Sequence, residues 1–117
     1  MPDRFANGNA KLNNVPGLKE SKTDLKNPDA RHGGDIAGLR SKLPYLQDLG
    51  VTAIWPTPML INDMPNHTYH GYAITDYYQI DPRMGTNNEF KALVADCHHH
   101  GIKFIMDWVC NHCGSEN

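Results

Sequence analysis

Apolar residues are scattered without a period over the first third of the chain and fall into regular patterns after it. Residues 3 to 34 are polar and rich in Asn, Gly, Pro and Lys, which predicts a long loop, and loops of that length usually have a function or hold an ion. From Asp35 onward, Ile36, Leu39, Leu43, Leu46 and Leu49 recur at helical spacing. Gly50 stands where a terminating glycine belongs, so a helix is predicted over 35–49. Pro44 should break or restart that helix, because it lacks an N–H and crowds the carbonyl four residues back. Val51 to Trp55, bounded by Pro56, is too short for a helix and suits a buried strand over 51–55. A polar, aromatic-rich loop is predicted over 56–86. A second helix follows over 87–100, with Phe90, Leu93, Val94 and Cys97 on one face and Gly101 as its stop, and then a strand over 102–109.

The two halves repeat. Leu49-Gly50-Val51-Thr52-Ala53-Ile54-Trp55 and His100-Gly101-Ile102-Lys103-Phe104-Ile105-Met106 are each helix end, glycine and apolar strand, 51 residues apart. Apolar strands fed by amphipathic helices predict an α/β class with a parallel sheet and right-handed crossovers. Two such units cannot cover both sheet faces or close an edge, so the arrangement reads as an unfinished part of a larger one. At 117 residues the chain is about half as long as a typical (β/α)8 barrel, which runs to roughly 250.

Composition excludes several classes. Hydrophobic residues make up 39% of the chain, with 10 glycines besides, which argues against disorder. The formal net charge is -2, with no basic stripe to neutralise phosphates, so nucleic acid is not an expected partner. No apolar run approaches a membrane span, and Met1-Pro2-Asp3-Arg4 does not read as an export signal. The segment is expected to be soluble. Its compartment is open: periplasmic or secreted if a leader precedes it, cytoplasmic otherwise. Three cysteines, Cys97, Cys110 and Cys113, cannot all pair with one another, so a disulfide framework is not expected.

In parallel α/β folds, functional groups collect at the carboxyl ends of the strands. The ends here are Trp55-Pro56-Thr57-Pro58 and Asp107-Trp108-Val109-Cys110-Asn111-His112, and the loop after the first carries Asn66-His67-Thr68-Tyr69-His70-Gly71-Tyr72. Flat aromatic faces beside N–H and O–H donors suit a sugar ring, which has an apolar face and a hydroxyl rim. Neither a Gly-rich phosphate loop nor a Ser/His/Asp ordering appears.

These residues resemble a known family. Asp107-x-Val109-x-Asn111-His112 at a strand end is similar to the first signature region of the α-amylase family, glycoside hydrolase family 13. Pro2-Asp3-Arg4-Phe5-Ala6-Asn7-Gly8 resembles the end of that family's first barrel strand, and Gly33-Gly34-Asp35 the start of its first barrel helix. His70-Gly71-Tyr72 through Asp76-Tyr77 resembles the loop after its second strand. Within the family the likeness is to neopullulanases, cyclomaltodextrinases and the starch-utilisation amylases of gut Bacteroidetes. The resemblance implies an incomplete (β/α)8 barrel running from the end of strand one through strand three, with 110–117 opening the segment that follows.

It also implies a retaining α-glucan hydrolase acting on starch-derived oligosaccharides. Retention requires two carboxyl groups ~5 to 5.5 Å apart. In the family these lie on later strands, so no catalytic residue is expected in this chain, and the catalytic groups are expected downstream of Asn117. Carried over by position, Tyr72 would stack on the sugar while His70 and His112 would bond its hydroxyls, with Asp76, Asp107 and Asn111 as structural supports. Asn7, Asn9, Asn13 and Asn14, with the Gly33 carbonyl and Asp35, resemble a structural calcium site of neopullulanase-type members; an Asn-rich turn region is the plainer reading.

Two other classes compete. Cys97, His98, His99, His100, Cys110, His112 and Cys113 are all zinc-ligand types, and Cys110-x-x-Cys113 has a finger-like spacing. Strand alternation and the three successive histidines on one helix weigh against a single zinc site. A non-catalytic carbohydrate-binding module is the third reading, weakened by the strand edges it would leave open. The bond cleaved and the oligomeric state are not encoded in these residues.

Overall fold

The computed structural model describes residues 1–116. The segment expected over 110–117 ends at Asn117, which lies outside the described residues. Two buried carboxylates organise the N-terminal third. Pro2–Phe5 forms a single helical turn, α1. This corrects the expected end of a strand. Proline at the first helical position and an acidic residue in the first turn both favour a helix start. The Asp3 carboxylate accepts hydrogen bonds from the backbone of His32 and Gly33, and the Asp3 and Ala6 carbonyls accept from Gly34 and Asp35. In return, Asp35 accepts from the backbone of Gly8 (2.9 Å) and Asn9 (2.9 Å) while capping the next helix through Gly38 (2.7 Å). The polar segment between is thus tied at both ends, with a 3-10 turn at Ala10–Asn13 and an isolated bridge between Asn14 and Lys22.

The helix expected over 35–49 is two helices, α2 (Ile36–Ser41) and α3 (Leu43–Asp48), joined at Lys42. Pro44 stands in the first turn of α3 and supplies no N–H to the preceding turn, so the ladder restarts there. Strand β1, Ala53–Ile54, pairs in parallel with β4, Lys103–Phe104. Bonds from Lys103 to the Thr52 carbonyl and from Ile105 to that of Ile54 continue the ladder on either side. The strands expected over 51–55 and 102–109 are therefore much shorter as paired elements. Beyond Ile105 the chain finds no ladder partner among the described residues, and Met106 and Trp108 are 40% and 54% exposed.

The expected loop over 56–86 contains structure of its own. Strand β2, Leu60–Ile61, pairs antiparallel with β3, Asp76–Ile80, around a register irregularity. A second 3-10 turn, Thr68–His70, lies between them. Helix α4, Asn87–His99, starts with a full capping box in which Thr86 and Glu89 bond each other's backbone. His100 is its cap rather than its last residue.

The core sits between helices and strands. Ile36, Leu39 and Leu43 meet Leu93 and Cys97 of α4, with Met59, Leu60, Ile80 and Ile102 beneath. Arg40 and Asp96 tie α2 to α4 at the surface with a 2.7 Å ion pair. The far side of β1 is open: a cleft of about 290 Å³ is lined by Phe5, Leu46, Val51, Ile54 and Trp55, among others. The β1–β4 register joins Ala53 to Lys103, one residue off the 51-residue repeat that equates Ala53 with Phe104.

Candidate functional site

Two chain segments meet at the carboxyl ends of β1 and β4. The first is the Thr68–His70 turn. His67, before it, is left-handed (φ 56°), and Gly71, after it, is left-handed too (φ 86°). A β-carbon at Gly71 would lie 2.1 Å from the Pro58 carbonyl, so only glycine lets the loop cross the strand end this closely. Tyr72 follows directly. Its phenol donates to Asp107 Oδ2 at 2.9 Å, and that bond, with partial burial and the carboxylate charge, holds the phenol pKa above its ordinary value.

His70 and Tyr72 form a unit. The Tyr72 backbone N–H donates to His70 Nδ1 at 2.9 Å, and the rings lie 5.9 Å apart at 26°. A ring that accepts at Nδ1 carries its proton on Nε2. Burial, and then the nearby His67, push the His70 pKa below the ordinary imidazole value against a weaker pull from Glu20, which keeps the ring neutral. His70 therefore presents an Nε2–H donor beside an aromatic face.

His112 closes the cluster from the other loop. Its Nδ1 is 2.6 Å from the Asn111 amide nitrogen, which donates to it, so Nε2–H donates to the Tyr72 carbonyl at 2.8 Å. Both ring nitrogens are engaged within the protein. In this geometry His112, expected to bond sugar hydroxyls, spends Nε2–H on the Tyr72 carbonyl. Tyr72, His70, His112, Asp107 and Asn111 thus share one patch on an open surface, with Tyr72 39% exposed. Asp76 stands apart, accepting from the Tyr78 backbone at the start of β3.

Sequence reasoning missed the supports. Tyr77 puts its hydroxyl 2.8 Å from the carbonyls of both Val109 and His112, and its ring packs on Trp108. Deeper, Arg83 bonds both oxygens of Asp81 (2.8 and 2.6 Å) and the carbonyls of Glu20 and Asn62 (2.7 Å each). Burial alone would raise the Asp81 pKa, but Arg83, through hydrogen bonds and charge, holds it below the ordinary carboxylate value. Glu20 in turn accepts from the backbone and hydroxyl of Thr68, and Arg31 reaches the same hydroxyl at 3.3 Å. This buried polar cluster hangs the His70 turn on the N-terminal loop. Asp81 and Arg83 are two residues apart, but Glu20 and Arg31 lie some fifty or more positions before them, and no local pattern joins the four.

The expected ion-binding residues gather in part. Asn7 and Asn13 bond side chain to side chain at 2.7 Å, and both amides lie against Gly33. Asn9 caps the first 3-10 turn by accepting from Lys11, and Asp35 is buried as described. The zinc candidates do not gather: Cys97 is in the core, Cys110 and Cys113 are exposed, and His100 bonds the Asp96 carbonyl. No group of three or more His, Cys, Asp or Glu placed to hold a metal occurs among the described residues. None of the described helices is long and apolar enough to cross a membrane.

A family model described as "Alpha amylase, catalytic domain" matches residues 1–117. The chain is 42% identical over 114 residues to a cyclomaltodextrinase of Thermoanaerobacter pseudethanolicus, a match covering 97% of the chain and 19% of that protein. In structure it is similar to an Anoxybacillus α-amylase (TM-score 0.85, 42% identity, 97% of the chain and 23% of the other). It is also similar to an α-amylase of Geobacillus thermoleovorans complexed with acarbose (TM-score 0.79, 40% identity, 100% and 23%). The chain spans between about a tenth and a fifth of the length of the curated relatives it matches.

Proposed function

The chain belongs to the α-amylase catalytic-domain family, and from that premise we propose that it is the sugar-contacting part of a retaining α-glucan hydrolase whose catalytic carboxylates lie outside it, downstream of Asn117. The observation that carries this reading is the His70–Tyr72–Asp107–Asn111–His112 patch at the strand ends. An exposed phenol ring offers a face to a glucose unit, and its hydroxyl bond to Asp107 fixes the ring plane. His70 Nε2–H supplies a neutral donor at the ring edge, able to strengthen as positive charge develops on the sugar. His112 and Asn111 hold Tyr72 from behind. A one-residue offset between repeat and register equals the mean stagger per strand of an eight-stranded barrel of shear 8, which supports the barrel reading.

Two outcomes are expected from the purified chain. It should release no reducing sugar from starch, maltodextrin or pullulan, since the patch offers one carboxylate where retention needs two. It should nevertheless bind a maltooligosaccharide, followed by NMR shifts of the Tyr72 and His70 rings. Tyr72→Ala should weaken that binding about tenfold, or ~1.4 kcal/mol. Because the His70 pKa is depressed, binding should hold as pH falls through the ordinary imidazole range, and fail only when Nδ1 is protonated and repels the Tyr72 N–H. Saturable hydrolysis, or binding indifferent to Tyr72, would sink the assignment.

We propose further that Asn7, Asn9, Asn13, Asn14, Gly33 and Asp35 hold a structural calcium ion. The Asn7 and Asn13 side chains converge beside Gly33, which supports the fit, and an ion would take the place of the bond Asn7 Nδ2 now donates to Asn13 Oδ1, while Asp35 already accepts from three backbone N–H groups. With a single carboxylate among them, affinity should be weak, on the order of 10⁻⁴ to 10⁻³ M. Calcium at tenfold excess over Kd should then stabilise the fold by about 1.4 kcal/mol, read as a saturable rise in Tm. Asn13→Ala should abolish that rise; an equal rise in the variant would assign calcium elsewhere.

A further inference from the structure

The cysteine pair beside the sugar patch is not used by anything described above. Cys110 and Cys113 are both exposed and both free, and they bracket Asn111 and His112. The chain bends at Asn111. The two arms of that bend are tied to a single atom, because the Tyr77 hydroxyl lies 2.8 Å from the carbonyls of Val109 and of His112. Each of those carbonyls belongs to the peptide unit that leads into one of the cysteines, and the two carbonyl oxygens lie no more than twice that distance apart. Beyond the second cysteine, Gly114 is fixed to the Ile74 carbonyl at 2.8 Å. A disulfide needs its α-carbons within about 4.4 to 6.8 Å, which a bend held at its base brings within reach of two residues three apart.

We propose that Cys110 and Cys113 are a thiol–disulfide modification site, converted by a disulfide oxidant such as oxidised glutathione into a four-residue disulfide ring around Asn111 and His112. One cysteine, as thiolate, attacks the glutathione disulfide, forming a mixed disulfide and expelling one glutathione thiolate. The other, as thiolate, attacks the protein-side sulfur of that mixed disulfide, forming the Cys110–Cys113 bond and expelling the second glutathione. Two electrons pass from the protein thiols to the glutathione disulfide, and the two cysteine protons end on the two released glutathione thiols. Cys97 is a built-in control. It is fully buried in the core, and burial raises its thiol pKa, so it offers neither access nor thiolate. Closing the ring constrains the Asn111–His112 pair that holds the Tyr72 carbonyl, so oxidation acts on the brace rather than on the stacking face.

The test treats the native chain with oxidised glutathione, alkylates it, and maps the peptides by mass spectrometry. The peptide holding both cysteines should escape alkylation and be lighter by its two thiol hydrogens, with Cys97 alkylated only after denaturation. Cys110→Ser should instead accumulate a stable glutathione adduct on Cys113, and Cys113→Ser one on Cys110, because the resolving thiol is gone. Alkylation of both cysteines after treatment, lasting glutathione adducts on the unmodified sequence, or linkage to Cys97 or to a second chain would each overturn the proposal. None of these readouts depends on sugar binding, so their failure would leave that reading untouched.

Discussion

Arg83→Met should cost about 3 to 5 kcal/mol of stability at neutral pH, a large part of the ~5 to 15 available to a small domain. The side chain is 2% exposed, and its guanidinium is bonded to both oxygens of a carboxylate that is 3% exposed. Methionine would leave that carboxylate charged, buried and short of its main partner. Arg31 offsets part of the loss. It is held below its usual pKa first by burial and next by the like charge of Arg83, so removing Arg83 relieves one repulsion while Arg31 remains as a counter-charge for Asp81. The pH dependence has a definite sign. The folded-state pKa of Asp81 is depressed, so its contribution is present above the unfolded carboxylate value of ~3.9 and is lost as pH falls towards the folded one. The gap between parent and variant should therefore narrow in acid. Urea unfolding followed by tryptophan fluorescence measures this, and an unchanged midpoint would remove the cluster from the list of stabilising elements. Pairing the substitution with Asp81→Asn should restore much of the loss, since a neutral pair carries no unpaired buried charge.

The second large effect runs against helix propensity. Gly38 lies inside α2, where alanine is favoured by about 1 kcal/mol, so an argument from the helix alone makes Gly38→Ala stabilising. The packing says otherwise. A β-carbon there would sit 1.9 Å from the Ala6 carbonyl oxygen and 2.4 Å from its carbon, both backbone atoms. The apposition is mutual, because a β-carbon at Gly8 would meet the Gly38 nitrogen at 2.2 Å. Neither side has a flexible tip that could yield, and the same two backbone groups share Asp35 Oδ1. Forcing them apart should cost roughly 3 kcal/mol or more and loosen the Asp35 cap at the same time. A thermal midpoint equal to or above the parent's would show that α2 and the N-terminal segment can separate freely. An exposed control, Gly50→Ala, meets nothing within 4 Å and tests left-handed strain alone.

What could be read from the sequence follows the range of the forces involved. Helix α4 was legible because its apolar face and terminal glycine lie within one stretch of chain. The restart at Pro44 was legible for the same reason. The β2–β3 ladder was not, although Leu60–Ile61 and Asp76–Ile80 contain good strand formers, because two short apolar stretches in a polar loop show no period and meet only through tertiary pairing. The strand ends and the aromatic loop marked where such a patch would lie, and the family resemblance singled out His70, Tyr72, Asp107, Asn111 and His112 within it. The direction of the patch's hydrogen bonds was not legible. Whether His112 offers Nε2–H outward or to the Tyr72 carbonyl depends on how two loops cross, which spacing does not encode. Burial of Asp3, Arg31, Asp81 and Arg83 was equally invisible, since charged residues read as surface until the partners that neutralise them are placed.

The polar cluster that joins the two loops also governs time. Its bonds connect residues far apart along the chain: Glu20 with Thr68, 48 positions on, and with Arg83, 63 positions on. Such contacts reward the chain only after its long segments have closed, whereas the capped helix α4 and the turns form locally and early. Bonds made after the rate-limiting step leave the refolding rate nearly unchanged and slow the reverse reaction. Arg83→Met should accordingly speed unfolding in stopped-flow mixing while refolding keeps its pace, and a matching loss in the refolding rate would put the cluster in the nucleus instead. The long-range ties of Glu20 to Arg83 and Thr68 would thus set the lifetime of the folded chain under stress, so that resistance to proteolysis and heat inactivation becomes a kinetic property held by a few atoms between two surface loops.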